Sequence, residues 1–218
     1  MNMLRTVVWL QWKSAWPWII ASLVAVIALP VASAGIAWPT DPDQLAFFLA
    51  KLDLWSWLYP TLAGVLGVAF AVLTWQADRR GHFVYALSLP LPRWRYVLLR
   101  YGATAVWVAV VATALWVAAV GVTSLIAIPE TLSVHPHRLA AKFQLAALAV
   151  FTAAFAIGAM PEKTRRIGIR FALAVAAVEL VMVLLDQEFR FLTPLVRALA
   201  GPTGPFAALG GRWMLIDA

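Results

Sequence analysis

Long apolar runs, each followed by a short stretch of charged or turn-forming residues, make up almost the whole of this sequence. The runs are Trp16 to Trp38, Leu58 to Trp75, about Tyr96 to Ile128, about Leu139 to Met160 and about Phe171 to Leu185. A helix needs about 20 mostly apolar residues to cross the hydrocarbon of a bilayer. The pattern therefore predicts five spanning helices, the third longer than one crossing requires and the fifth short. The fold class expected is an all-α integral membrane protein, with residues 1–218 forming a single transmembrane domain. No linker, low-complexity tract or internal repeat interrupts it.

The segments around the runs have their own signals. Residues 1–14 read as an amphipathic helix on the membrane surface, with Asn2, Arg5, Thr6 and Lys13 on one side and Met3, Leu4, Val7 and Leu10 on another. A charged leader that only orients the first span is the other reading. Pro17 suits the first turn of that span, and Pro30 predicts a bend. Arg5 and Lys13 before a short apolar core, then Ala32-Ser33-Ala34, also match a signal peptide and its cleavage site; the span is the reading carried forward. Turn chemistry at Pro39-Thr40-Asp41-Pro42-Asp43 opens a loop, and residues 44–56 are predicted as a short interfacial helix. Gly64 and Gly67 are places where a neighbouring helix can approach closely. The tail, residues 189–218, has no apolar run long enough to cross a membrane. Gly201-Pro202-Thr203-Gly204-Pro205 and Gly210-Gly211 break it, so it is expected to be external or re-entrant.

Composition supports the lipid reading. The 218 residues are 63% hydrophobic and 12% charged, where a soluble domain is about half apolar and about a quarter charged. The chain has no cysteine, which removes disulfides, thiolate nucleophiles and cysteine metal sites. A net charge of +7 raises the question of nucleic acid. The bases, however, sit in short loops beside apolar runs, which is the positive-inside pattern. Eleven of the 17 Lys and Arg, among them Arg5, Lys13, Arg79, Arg80, Arg93, Arg95, Lys163 and Arg170, fall on the side that holds the N-terminus. That bias predicts a cytoplasmic N-terminus and no nucleic-acid role.

Trp75 to Arg100 is the longest basic interruption, with Arg79, Arg80, Arg93, Arg95 and Arg100 against one acid, Asp78. So many guanidinium groups belong in water or at the headgroups, so the stretch is read as a cytoplasmic elbow between the second and third spans. Its plain alternative is a solvated loop that only sets topology. Glu179 is an intramembrane carboxylate, which costs about 2.5–3.5 kcal/mol on insertion scales; it is expected to face protein or a polar path. His135 and His137, two apart in a loop, read as surface histidines rather than a metal site. No Ser/His pair, HExxH or paired carboxylate supports an intramembrane enzyme. An ion-coupled carrier is weighed against the absence of inverted repeats.

The wording of the elbow is specific. Asp78-Arg79-Arg80-Gly81-His82, then Leu87-Ser88-Leu89-Pro90-Leu91-Pro92-Arg93, then Arg100, resembles the membrane subunits of type-2 ABC transporters. His82 stands where that family usually has Thr, and Pro92 where it has Ser. The resemblance implies a permease subunit of an ATP-driven exporter in a bacterial-type cytoplasmic membrane. It implies a short elbow helix near residues 79–88, anchored by Phe83, Tyr85 and Leu87 and oriented by Asp78, Arg79 and Arg80, with Pro90 and Arg93 in the turn beyond. The partners implied are a separate ATPase, a second permease subunit, identical or different, and membrane lipid. The sequence has no G-x-x-x-x-G-K-[ST] phosphate loop, so ATP and Mg are expected on the ATPase and no cofactor on this chain. The family has six spans; Gly210 to Asp217 resembles the opening of the last, so the sixth is expected to be missing or cut. A scaffold or assembly protein using the same loops is the alternative.

Overall fold

The long apolar runs become long helices. A computed structural model describes residues 3–34, 42–80, 92–125, 133–184, 198, 199, 201, 204, 206–209, 213 and 215–217. Helix α1 is Met3–Ala34, α2 Pro42–Arg80, α3 Arg93–Leu125, α4 Pro136–Ala159 and α5 Glu162–Leu184. Strand β1, Ser133–Val134, pairs antiparallel with β2, Ile216–Asp217. Among the described residues four helices are long and apolar enough to cross a membrane, at Ala15–Ser33, Trp57–Gln76, Arg93–Leu125 and Pro136–Ala159. An all-α membrane-embedded protein is thus the class that the helices define.

Several elements are longer than the apolar pattern alone indicated. No break separates residues 3–14 from the run that follows, and α1 carries both Pro17 and Pro30 inside it. Residues 44–56 and 58–75 are one 39-residue helix with Pro60 in its interior. At 1.5 Å per residue α2 is about 58 Å long, nearly twice a ~30 Å hydrocarbon core. Proline is tolerated in these helices because neighbouring groups re-satisfy the freed carbonyls. Ser33 Oγ donates to Pro30 O at 2.9 Å, in the last turn of α1.

The expected fifth span is not among the four. Helix α5 begins at Glu162 and spends its first turns on Lys163, Arg165, Arg166 and Arg170. The apolar remainder, residues 171–184, is about 21 Å long, short of ~30 Å of hydrocarbon, so it crosses only where the bilayer thins or its flanking charged residues snorkel.

The core lies between the four spanning helices. Helix α1 packs chiefly on α3, α2 on α4, and α3 on α4. The α3 face turned inward is Tyr96, Arg100, Ala103, Thr104, Val108, Val111, Ala112, Leu115 and Ala119. Those spacings of three and four are one stripe of a 3.6-residue helix. Opposite it on α4 lie Phe143, Ala146, Ala147, Phe151 and Phe155. Small residues alternate with aromatics, which lets backbones approach where lipid supplies no hydrophobic drive between helices. Gly67 shows the need most plainly: a Cβ there would sit 2.8 Å from Ala147 O and 2.9 Å from Phe151 N. At Gly64, expected to behave alike, nothing lies within 4 Å. The outward faces hold Trp16, Trp18, Val24, Val65, Val72 and Leu98, all exposed, as lipid-facing positions are.

The far end is closed by the tail. His135 N donates to Leu215 O at 3.0 Å beside the β1–β2 pair. Trp213 and Leu215 are buried at 2% and 4% exposure, and Lys142 Nζ lies 4.9 Å from the centre of the Trp213 ring. Within the stretch expected to open another span, Ile216–Asp217 are a two-residue strand paired with Ser133–Val134, just before α4.

Candidate functional site

Two ends can be told apart from side-chain pairs. At one, the start of α1, the end of α2, the start of α3 and the end of α4 come together. Gln11 Nε2 donates to Thr104 Oγ1 at 2.9 Å, and Thr104 Oγ1 lies 2.8 Å from Thr74 Oγ1. Trp75 Nε1 donates to Phe155 O at 3.1 Å. At the other end Tyr59 meets Ser33 at 3.4 Å, and Trp116 Nε1 donates to His137 Nδ1 at 2.8 Å. Helices α1 to α4 thus alternate direction, and both ends of the basic elbow emerge at the Gln11 end.

The expected elbow residues fall into two groups. Asp78, Arg79 and Arg80 form the last turn of α2; their side chains are outside the described part, and so are residues Gly81, His82, Phe83, Tyr85, Leu87 and Pro90 in full. Arg93 opens α3 and is exposed. Pro92 O accepts from Arg95 N at 3.0 Å and from Tyr96 N at 3.3 Å, which closes the first turn of α3. Arg95 reaches over the Trp94 ring, 5.1 Å from its centre. The elbow therefore leaves one membrane-crossing helix and enters another with no helix end between it and either span.

Four residues before Asp78 and four after Arg100 stand Thr74 and Thr104, whose hydroxyls meet. Thr74 Oγ1 also lies 2.6 Å from Phe70 O, and Thr104 Oγ1 3.0 Å from Arg100 O. This small network ties α1, α2 and α3 just inside the elbow. A hydrogen bond between membrane helices contributes on average about 0.6 kcal/mol and at most about 1.7 kcal/mol. The network therefore fixes register more than it adds stability. Arg100 is 5% exposed and donates from Nε to Tyr96 OH at 3.0 Å, so one elbow arginine belongs to the bundle rather than to the solvent.

The sequence reading missed this network. Its signal was present: Thr74 and Thr104 are isolated hydroxyls in apolar runs, at matching distances from the charged elbow. The recess beside it was not legible. Gln11, Ala15, Ile19, Phe70, Leu73, Thr74, Thr104 and Trp107 line a small recess of about 20 Å³, room for about one water molecule. The Trp107 indole is stacked on Trp12 with ring centres 5.2 Å apart. Its Nε1 is buried and has no hydrogen-bond partner among the described residues, a situation that costs about 1–3 kcal/mol if left so.

The remaining candidates are dispersed. Glu179 lies on α5, and its side chain is outside the described part. His137 pairs with Trp116, and His135 Nε2 lies 3.2 Å from Ser133 Oγ. Among the described residues no three His, Asp or Glu gather as a metal site. Glu162 and Arg166 form an exposed ion pair one turn apart on α5. No family model matches the chain, and no curated protein and no solved structure is similar to it.

Proposed function

We propose that the chain is a membrane-spanning permease subunit of an ATP-driven transporter of the type-2 ABC kind, working as an exporter in a cytoplasmic membrane with its N-terminus inside. A separate ATPase binds ATP and Mg and pushes on the elbow, residues 78–95. A second permease subunit completes the pathway. The observation that carries this reading is the continuity of α2 from the membrane through Arg80, with Thr74 bonded to Thr104 of α3. A force applied at Asp78 to Arg80 is then delivered to two spans at once, because no flexible joint lies in between. Charge at the elbow orients the docking, and an aromatic anchor supplies its contact area.

The test is co-expression of the full chain with a phosphate-loop ATPase encoded beside it. Reconstituted together, the pair hydrolyses ATP at a rate that depends on this chain, and the double charge reversal Arg79→Glu, Arg80→Glu abolishes both association and the change in rate. A partner that binds the elbow without any change in nucleotide turnover would replace the transporter with a scaffold. Undiminished coupling in the charge-reversed protein would remove the elbow from the mechanism.

A further inference from the structure

The basic start of α5 has a shape as well as a charge. Lys163, Arg166 and Arg170 follow one another at intervals of three and four residues. At 3.6 residues per turn they fall within an arc of about 60° and rise about 10 Å along the helix axis. All three are exposed. Glu162, the one acid on these turns, pairs with Arg166 across one turn. That pair steadies the guanidinium along the face and leaves the face with an excess of cations. Ile167 and Ile169 lie on the two flanks of the arc, exposed at 59% and 46%. The pattern is a strip of bases edged on both sides by branched apolar side chains.

Length sets the depth of this strip. The apolar part of α5, residues 171–184, falls about 9 Å short of a ~30 Å hydrocarbon core. Where α5 crosses, a thinned bilayer or snorkelling bases bring residues 163–170 to the headgroups. A helix that instead lies on the surface with its apolar part immersed puts them at the same level. We propose that Lys163, Arg166 and Arg170 bind the headgroup of an anionic phospholipid, in the leaflet on the side of the N-terminus. The guanidinium and ammonium groups donate to its phosphate oxygens, and Ile167 and Ile169 rest against the upper acyl chains. A guanidinium matches the spacing of two phosphate oxygens. A zwitterionic headgroup fits less well, because its own ammonium group repels the strip. The assignment rests on membrane embedding and is independent of the ATPase. It is independent of orientation too, since α4 ends beside the start of α1 and α5 begins directly after it.

The experiment uses the purified full chain in micelles doped with phosphatidylglycerol or with phosphatidylcholine of the same acyl chains. Bound lipid is counted by native mass spectrometry. The wild-type chain retains phosphatidylglycerol about fivefold better or more, since a single basic residue near an anionic surface contributes about that factor. The triple variant Lys163→Gln, Arg166→Gln, Arg170→Gln loses the preference. A second triple variant, Arg5→Gln, Arg93→Gln, Arg95→Gln, removes the same number of exposed bases at the same end of the bundle and keeps it. Equal retention of the two lipids by the wild-type chain overturns the proposal. So does an equal fall in both triple variants, the result expected if net charge alone attracts the lipid. If the α5 triple variant keeps its lipid preference but no longer holds the ATPase, the strip is a protein contact and the proposal also falls. Circular dichroism identifies a variant that has not folded, in which case the lipid ratio of the wild-type chain decides alone.

Discussion

At the scale of single residues, close packing discriminates between positions that look the same in the sequence. Gly64 and Gly67 both sit in the α2 apolar run, and the run itself gives no reason to separate them. In the bundle Gly67 abuts the α4 backbone, whereas a Cβ at Gly64 would have nothing within 4 Å. Gly67→Ala forces Ala147 and Phe151 to shift, at a cost of about 1–3 kcal/mol for overpacking. Gly64→Ala meets nothing and gains helix propensity, so it is neutral or stabilising by up to about 1 kcal/mol. Reversible unfolding of the two variants in detergent measures the difference, and equal stabilities would contradict the α2–α4 contact. The same limit applied to Arg100. Its charge is obvious in the sequence, but its position on the inward stripe of α3 depends on helix phase, which a nearly uniform apolar run conceals. Tyr96, one turn away, receives its Nε–H, and only the folded helix shows why an arginine is stable there.

At the scale of elements, the apolar runs announced the spans but not where helices stop. Periodicity says little when almost every position is apolar, and membrane solvent rewards continuing a helix because an unpaired backbone group costs several kcal/mol there. This explains why residues 44–56 join the second span and why residues 3–14 run into the first. It also explains α5, where a charged first turn continues directly into the short apolar segment. The consequence that matters is mechanical: α2 carries Asp78 to Arg80 as its own last turn. Under the proposed coupling, stiffness between Trp75 and Asp78 is required and binding affinity at the tip is not. Replacing both Gln76 and Ala77 by Gly costs roughly 1 kcal/mol of helix stability per site and loosens the joint without touching the elbow. Such a protein is expected to retain its ATPase partner in co-purification while losing most of the chain-dependent change in ATP turnover. A double-glycine protein with full coupling would show that displacement reaches the spans by another route, such as α3 alone.

At the scale of the whole molecule, the arrangement makes a statement about sides that a chain lacking cysteine allows to be read cleanly. The Gln11–Thr74–Thr104 network and the Trp75–Phe155 bond gather the start of α1, both stems of the elbow and the end of α4 at one end. The Tyr59–Ser33 pair, the Trp116–His137 bond and the β1–β2 pairing gather the opposite connections. With no native cysteine in the sequence, a single introduced thiol is the sole target of a membrane-impermeant maleimide. Arg93→Cys and Lys163→Cys, both at exposed positions, are expected to react only when the reagent is given access to the cytoplasmic side of vesicles. Ser133→Cys, exposed beside the tail strand, is expected to react only from the other side. The charge distribution favours this orientation because basic residues resist transfer across the membrane, and the helix pairing requires that positions 93 and 163 share a side whichever orientation holds. Reaction of Arg93→Cys and Lys163→Cys from opposite sides would therefore break the four-helix arrangement itself. Reaction of both from the outside would keep the bundle, invert it, and leave the elbow beyond the reach of any cytoplasmic ATPase.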